Sequence, residues 1–272
     1  MASIRHMARP SCLRTAHGIT FRPRMARPLT VVASKPKEAE QVLLDPKYPP
    51  TWPFRPRDLA RYDESADTDF YAAPRFVTHI DDKAIGALTT WYSKNLPSGP
   101  DAAILDMCSS WISHLPAGYR AGRVSGLGMN DEELARNEAL TDYVVHDLNK
   151  DPKLPYEDAS FDAVVNTVSV DYLTKPKEVF AETARVLKPG GLAAFSFSNR
   201  CFPTKAIAIW TATGDLDHVW IVGAYFHFTE GQFTDPQCED ISPAGGLWGK
   251  SDPMYVVFAR KKGGKEDAAT EA

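Results

Sequence analysis

The stretch from residue 154 to residue 197 decides the fold. It begins with LPYEDASFDAVV (residues 154–165), whose apolar, β-branched end is typical of a buried strand. A predicted helix over 177–187 follows, and its apolar positions share one face. The turn KPGG (188–191) then leads into the apolar run LAAFSF (192–197). A strand, a helix and a second strand in this order predict a βαβ unit with two parallel strands.

The same alternation of strand and helix extends on both sides of this unit. Strands are predicted at 102–105, 123–127, 143–145, 161–168 and 192–197, with later strand-like runs at 224–228 and 254–259. Helices are predicted over 79–95, 130–139 and 177–187, the second one capped by Asn130, with Glu133 closing a capping box. Because parallel strands are joined by right-handed crossovers, the sequence predicts an α/β protein with a doubly wound, mostly parallel, seven-stranded sheet.

The composition excludes several broad classes of protein. The chain has 272 residues, of which 43% are hydrophobic and 24% charged, so a sizeable core can form and collagen or coiled coil is disfavoured. No apolar run approaches the ~18 residues of a membrane-spanning helix. The formal net charge of −4 does not favour a polyanionic partner, and we therefore expect no nucleic acid.

The N-terminal segment differs in composition from the rest of the chain. Residues 1–34 hold six arginines and no acidic residue, which is typical of an organelle transit peptide ending near residue 33. The alternative is a disordered basic tail that binds nucleic acid. The predicted organisation is a transit peptide (1–33), a Pro-rich linker or arm (34–65), one domain (66–262) and a disordered tail (263–272).

The cysteines and the arm lead to two smaller predictions. Of the four cysteines, Cys12 would leave with the transit peptide. The three that remain, Cys108, Cys201 and Cys238, are odd in number and widely spaced, so we expect buried thiols rather than disulfides or a metal site. The aromatic residues of the arm, Tyr48, Trp52 and Phe54, are expected to dock on the core.

Ligands of an open parallel sheet bind beyond the carboxyl ends of the strands, so the turn after the first strand is the place to examine. This turn, DMCSSWISH (residues 106–114), contains no glycine, which disfavours a dinucleotide. One alternative is an α/β hydrolase with Cys108 or Ser109 as nucleophile, although the flanking glycines of that motif are absent.

The motifs FDAVV (161–165) and ETARVLKPGG (182–191) together resemble class I S-adenosylmethionine-dependent methyltransferases of the type eleven group, over roughly residues 101–260. Three further motifs resemble an uncharacterised plastid and cyanobacterial subgroup: DMCSSWISH (106–114), MNDEEL (129–134) and SFSNRCFPTKAI (196–207). The resemblance implies a Rossmann-like methyltransferase fold, S-adenosylmethionine as cofactor, methyl transfer to a small-molecule acceptor, and a location in the chloroplast stroma.

The resemblance also implies a cofactor site. Asp106 would face the amino-acid end of the cofactor, or else cap the adjacent turn, and Cys108 and Ser110 stand where the family has glycines. Gly128 occupies the position of the acid that holds the ribose, so Asn130 or Asp131 would substitute, unless Asn130 is only a helix cap.

The remaining cofactor contacts follow from the same resemblance. Asp147 and Leu148 would bind the adenine, unless Asp147 only shapes a turn, and Asn166 would lie near the sulfur. Residues 70–79 would form a lid, in which Tyr71 lies near the sulfonium and Arg75 binds the carboxylate, unless these aromatic residues only dock on the core.

Catalysis requires few groups because the sulfonium is already activated, and no catalytic residue is assigned. The candidates for a general base are His114, Asp171, Tyr172, His218 and His227. The insertion 199–230 would line the acceptor pocket with Trp210, Trp220, Tyr225 and Phe226, which favours an apolar or planar acceptor. A non-catalytic methyltransferase-like protein, serving in ligand binding or assembly, is the alternative from another functional class.

Overall fold

The computed structural model describes residues 37–244 and 251–263. The predicted transit peptide lies outside the described residues, as does the predicted disordered tail beyond Gly263. The helices are α1 (Glu38–Gln41), α2 (Asp67–Phe70), α3 (Asp82–Asn95), α4 (Asp131–Arg136), α5 (Pro176–Val186), α6 (Ala208–Ala212) and α7 (Asp215–His227). The strands are β1 (Gly99–Met107), β2 (Ala121–Gly128), β3 (Asp142–Val145), β4 (Phe161–Thr167), β5 (Leu187–Phe197), β6 (Gln237–Asp240) and β7 (Tyr255–Arg260).

The seven strands form one sheet in the order β3-β2-β1-β4-β5-β7-β6. The first five strands in this order are parallel, and β7 is antiparallel to both of its neighbours. The prediction of a doubly wound, mostly parallel, seven-stranded sheet is therefore confirmed. The strand order reverses between β1 and β4, so the connections leaving these two strands diverge and open a crevice at their carboxyl ends.

Some elements differ from the sequence prediction. Residues 188–191, predicted as a turn, belong to strand β5, which begins at Leu187. The run 224–228, predicted as a strand, instead forms the end of α7 and its C-cap, and every residue from His218 to Phe226 except Trp220 is buried. A short apolar run in a fully buried helix has no polar face, so its periodicity does not separate it from a strand. Strand β6 was not predicted, because QCED (237–240) is mostly polar and only Cys238 is buried.

Residues 108–120 connect β1 to β2 without forming a helix. A backbone hydrogen bond of 2.7 Å, from the Ser109 N–H to the Leu127 carbonyl, holds the start of this connection against the end of β2. A parallel pair is usually joined through a helix that covers one face of the sheet. Here the irregular connection takes that place, and its Leu115 and Tyr119 pack against the core cluster that contains residues of α3 and Ile104.

The arm packs on α7 through its aromatic residues. Trp52 stacks on Tyr225 with ring centroids 5.9 Å apart, and Phe54 meets the same ring edge-on at 5.3 Å. Tyr48 stacks on His227 at 4.4 Å. These contacts confirm the predicted docking of the arm and extend the apolar core across α7.

A buried ion cluster fixes the segment that follows the arm. The carboxylate of Asp67 lies 2.6 Å from Nη1 of Arg61 and 3.3 Å from Nζ of Lys205, and all three side chains are nearly inaccessible. The amide of Asn149 donates a third bond to Asp67 at 2.8 Å. Buried charges are tolerated when they are paired in this way, and breaking one partner is costly. Residues 61–67 are thereby tied to the edge of the crevice.

The thiols agree only in part with the prediction of buried cysteines. The described cysteines are free: Cys238 is buried, whereas Cys108 and Cys201 are half-buried. Within residues 37–244 and 251–263, no helix combines the length and the apolar character needed to cross a bilayer.

Candidate functional site

A cavity of about 470 Å³ occupies the crevice at the carboxyl ends of β1, β2 and β4. Eight of the nine predicted site residues line it: Tyr71, Arg75, Asp106, Cys108, Ser110, Asn130, Asp147 and Leu148. The ninth, Asn166, is fully buried outside the lining and donates to the Met107 carbonyl at 3.1 Å. The other lining residues come mainly from the lid, β4 and the start of the insertion after β5, and include His79, Glu133, Tyr172, Arg200 and Phe202.

Asp106, the penultimate residue of β1, organises the turn below the cavity. Its Oδ2 accepts hydrogen bonds of 2.6 Å from the hydroxyls of Ser109 and Ser113. Burial raises the pKa of Asp106 to about 6, although the two hydroxyls act in the opposite direction. Asp106 therefore caps its own turn and also lines the cavity.

Strained backbone converges on the cavity. Cys108, His114 and Val168 line it and have φ angles of 60°, 54° and 44°. The left-handed region disfavours side chains with a β-carbon, and for a β-branched residue such as Val168 it is a genuine outlier. Strain of this kind persists only when its surroundings enforce it, and it concentrates at ligand sites.

The geometry does not support a hydrolase nucleophile at Cys108 or Ser109. Burial raises the pKa of the Cys108 thiol to about 12, so the reactive thiolate is not available. The hydroxyl of Ser109 donates to Asp106 rather than to a histidine. The α/β hydrolase alternative is therefore wrong.

Gly128 ends β2 directly beneath the first turn. A β-carbon at this position would lie 2.2 Å from the carbonyl oxygen of Ser109, a distance that no packing tolerates. An acidic side chain therefore does not fit at position 128 while the backbone of Ser109 passes this close to the end of β2. The missing acid is thus a steric consequence of the turn.

Asn130 has its side chain committed to other partners. Its Oδ1 accepts from the Glu133 N–H at 3.1 Å and caps α4, while its Nδ2 donates to the carbonyls of Tyr71 and Ala72 at 2.9 and 3.2 Å. Both amide hydrogens are used, so Asn130 is a helix cap and an anchor of the lid. Its predicted role as the ribose contact does not fit this geometry. Asp131, the other candidate, is exposed and does not line the cavity.

Glu133 is the site residue that the sequence analysis missed. It was assigned to the capping box, but its Oε1 accepts from the Arg75 N–H and its Oε2 from the Ser110 hydroxyl, each at 2.6 Å. The side chain is nearly buried and lines the cavity. One feature of the sequence could have indicated this role. Glu133 is the third acidic residue in the first turn of α4, and it lies on a different side of the helix from its exposed neighbours Asp131 and Glu132.

Asp147 and Leu148, which follow β3, also line the cavity. Oδ1 of Asp147 accepts from the N–H groups of Asn149 and Lys150, at 2.9 and 3.2 Å. Among the described residues, its Oδ2 and the N–H of Leu148 have no partner. Asp147 therefore shapes the turn with one oxygen and leaves the other available beside a free backbone donor.

Arg75, in the segment before α3, lines the cavity and carries an unused donor. Its guanidinium lies 4.5 Å above the ring of Phe70 and donates from Nη2 to the Phe70 carbonyl at 2.8 Å. Its Nη1 is buried and has no hydrogen-bond partner among the described residues. Tyr71 packs against Phe70 at 4.9 Å, so its ring shares this aromatic wall with Arg75. A buried guanidinium N–H without an acceptor is costly, and an anionic group in the cavity would satisfy it.

The candidate bases fall into two groups. His114 and Tyr172 line the cavity, whereas Asp171, His218 and His227 do not. Burial lowers the pKa of His114 to about 4 and, with less effect, that of His79 in the same cavity, so both imidazoles are neutral at pH 7. The rings of His218 and Trp210 stack with their centroids 3.8 Å apart, and both side chains are buried, so His218 contributes to the packing of the core.

The aromatic residues predicted to line an acceptor pocket lie elsewhere. Trp210, Tyr225 and Phe226 are buried on α6 and α7, and Trp220 packs on the arm. None of the four lines the cavity, so the prediction of an acceptor pocket built from them is wrong. The insertion contributes Arg200, Cys201 and Phe202 instead.

The strand order, with its single antiparallel strand β7, and the cavity beyond β1 and β4 define a Rossmann-like methyltransferase fold. Residues 109–195 match the family model described as "Methyltransferase domain". Residues 109–195 are therefore similar to methyltransferase domains.

Several individual proteins are similar to this chain. A malonyl-[acyl-carrier protein] O-methyltransferase of Marinomonas sp. is 30% identical over 79 residues, which are 29% of this chain and 28% of the relative's length. Among solved structures, geranyl diphosphate C-methyltransferase from Streptomyces coelicolor has 14% identity and a TM-score of 0.49, with 71% of this chain and 96% of that chain covered. An S-adenosylmethionine dependent methyltransferase from Mesorhizobium loti has 20% identity and a TM-score of 0.46, with 64% of this chain and 98% of that chain covered.

Proposed function

We propose that this protein binds S-adenosylmethionine in the 470 Å³ cavity and transfers its methyl group to a small-molecule acceptor. The observation that carries the proposal is that Arg75, Asp106, Asp147 and Leu148 line one cavity, and that Nη1 of Arg75 has no hydrogen-bond partner among the described residues. An amino acid carboxylate and an adenine are the two ends of this cofactor, and these residues carry groups complementary to both.

The residues present fit such a ligand. Arg75 would pair with the carboxylate, and the carboxyl group of Asp106 would lie near the amino group. Asp147 Oδ2 would accept from the adenine amino group and the Leu148 N–H would donate to the ring. Glu133 supplies the acid that Gly128 excludes, because each of its oxygens retains one lone pair for a ribose hydroxyl.

The bound cofactor would supply an activated methyl group, so the protein must chiefly orient the acceptor and exclude water. The lid segment is suited to this because Asn130 and Glu133 hold its backbone and the Asp67 cluster holds its start. The neutral imidazoles of His79 and His114 can accept a hydrogen bond from an acceptor hydroxyl.

Calorimetry with S-adenosylmethionine and S-adenosylhomocysteine tests the proposal. Arg75→Met and Asp147→Ala should each weaken binding roughly 5- to 100-fold, the cost of removing one partner of a buried polar contact. Arg57→Met, at an exposed position outside the cavity, is the matched control and should bind like the parent. An absence of binding by the parent protein would contradict the proposal, and equal affinity in all three variants would exclude this cavity. Binding without transfer to any acceptor would favour the non-catalytic alternative.

We also propose that the protein works in the chloroplast stroma, as the composition of residues 1–33 and the subgroup resemblance suggest. A fusion of residues 1–33 to a fluorescent protein should enter isolated chloroplasts and be shortened near residue 33. Retention of the fusion outside the organelle would contradict the plastid location.

A further inference from the structure

The side chain of Asn149 joins three segments that line the cavity: the turn after β3, helix α2 and the segment after β4. Its Nδ2 donates to Oδ2 of Asp67 at 2.8 Å and to the carbonyl of Tyr172 at 2.9 Å. Its Oδ1 accepts from the N–H and the hydroxyl of Thr174, at 2.8 and 3.1 Å. These four bonds use both amide hydrogens and both lone pairs of the amide oxygen. Asn149 lines the cavity but has no hydrogen-bonding capacity left for a ligand.

Asn149 directly follows the two residues that are proposed to bind adenine. Its own N–H donates to Oδ1 of Asp147 at 2.9 Å, and the N–H of Asp151 donates to the carbonyl of Asp147 at the same distance. Residues 147–151 therefore form one tight turn. Because Asp147, Leu148 and Asn149 are consecutive in this turn, a shift of the Asn149 side chain moves the two adenine contacts with it.

The partner of Asn149 on α2 is itself held in place by buried charges. Asp67 is nearly inaccessible, and its carboxylate contacts Nη1 of Arg61 and Nζ of Lys205. Lys205 is fully buried and lies 3.4 Å from the carboxylate of Asp63 as well. A carboxylate in place of the Asn149 amide would repel Asp67 directly, so an uncharged donor is the group that suits this position.

We propose that Asn149 is a positioning residue for the cofactor. Its amide ties the turn 147–151 to α2 and to the segment after β4, and so holds Asp147 and Leu148 where they recognise the adenine ring. Asn149 acts through these two residues. The identity of the ligand rests on the proposed function, whereas the rigidity of the turn does not.

Asn149→Asp tests the proposal, because it keeps the size of the side chain, removes both donors and adds a charge beside Asp67. Calorimetry with S-adenosylhomocysteine and S-inosylhomocysteine measures recognition of the base, since hypoxanthine has a carbonyl oxygen where adenine has its amino group. The parent protein should prefer the adenine compound by about tenfold or more. Asn149→Asp should lose most of this preference, because Asp147 and Leu148 are displaced. A purely structural role would weaken both compounds alike and leave their ratio unchanged.

Asn95→Asp is the matched control. Asn95 is also half-buried and donates from its amide to a carbonyl, that of Trp91, at 2.9 Å, but it does not line the cavity. The preference for adenine should therefore persist in this variant. Asn149→Ala removes the bonds without adding a charge and gives the same comparison if Asn149→Asp unfolds.

Amide hydrogen exchange of the ligand-free proteins measures the rigidity of the turn. The hydrogen-bonded amides of residues 149–151 should exchange about tenfold faster in Asn149→Asp than in the parent or in Asn95→Asp. Exchange that is no faster, or an unchanged preference for adenine in both Asn149 variants, would overturn the proposal and leave the cofactor assignment intact. If the parent protein binds neither compound, the proposed function fails and the assignment of Asn149 to the cofactor fails with it.

Discussion

A β-carbon on Gly128 would lie 2.2 Å from the carbonyl oxygen of Ser109. The turn after β1 crosses the end of β2 at this point and is held there by the bond from the Ser109 N–H to the Leu127 carbonyl. The acid expected at the end of β2 is therefore excluded by the backbone, and an acid on α4, Glu133, enters the cavity instead. The site is rearranged around a turn without glycine.

Gly128→Ala should destabilise the protein by about 1–3 kcal/mol or more, because the backbone of Ser109 must move to admit a methyl group. Gly86→Ala is the matched control: Gly86 lies in α3 with no atom within 4 Å of an added β-carbon, so this change should stabilise by about 0.5–1 kcal/mol. Thermal and urea unfolding measure both. Equal stabilities for the two variants would show that the turn is free to shift.

Asn130→Ala and Asn130→Ser separate the helix cap from the anchor of the lid. Serine retains a cap, so the alanine variant should be less stable than the serine variant by about 1 kcal/mol. Both variants lose the amide bonds to the carbonyls of Tyr71 and Ala72, so both should expose residues 70–79 to limited proteolysis. If the serine variant resists protease as the parent does, the amide does not anchor the lid.

Glu133→Gln should weaken S-adenosylhomocysteine binding roughly 5- to 30-fold, because an amide loses the charge-assisted bonds and one of its two acceptor positions. Glu132→Gln, on the exposed side of the same helix, is the control and should leave the affinity unchanged. Calorimetry measures the affinity of the two variants and of the parent protein for S-adenosylhomocysteine. An unchanged affinity in Glu133→Gln would return Glu133 to a purely structural role between Arg75 and Ser110.

Asp171 should make stability depend on pH. Burial raises the pKa of this carboxyl group from 3.8 to about 8, and its Oδ2 has no hydrogen-bond partner in the part of the chain that the structure describes. Between these two pH values the folded state keeps a proton that the unfolded state releases, so the free energy of unfolding falls as pH rises through this window. Asp171→Asn removes the dependence and should raise the melting temperature at about pH 8 by several degrees more than at about pH 4.

The control for this experiment is Asp101→Asn, an exposed position on β1. Melting curves of the parent and both variants across the pH range give the comparison. A parent protein whose stability does not fall between about pH 4 and pH 8 relative to Asp171→Asn would contradict the raised pKa.

The sequence by itself determined the sheet and the place of the site. Apolar runs such as FDAVV (161–165) and LAAFSF (192–197) are local signals, and their alternation with helices leaves one arrangement of parallel strands. The carboxyl ends of those strands then meet at one edge, which placed Asp106, Asp147 and Leu148 around one cavity. Local signals failed where burial removed the pattern, as in α7, and where a strand is mostly polar, as in β6.

Only the tertiary structure decided which polar atoms remain available in the cavity. Hydrogen bonds between segments far apart in sequence occupy Asn130 with the lid and leave Arg75 with an unused donor. The steric conflict between Gly128 and Ser109 and the entry of Glu133 likewise depend on how the turn crosses the neighbouring strand. These are distances between elements, and sequence periodicity carries no information about them because it reports only which face of each element is buried.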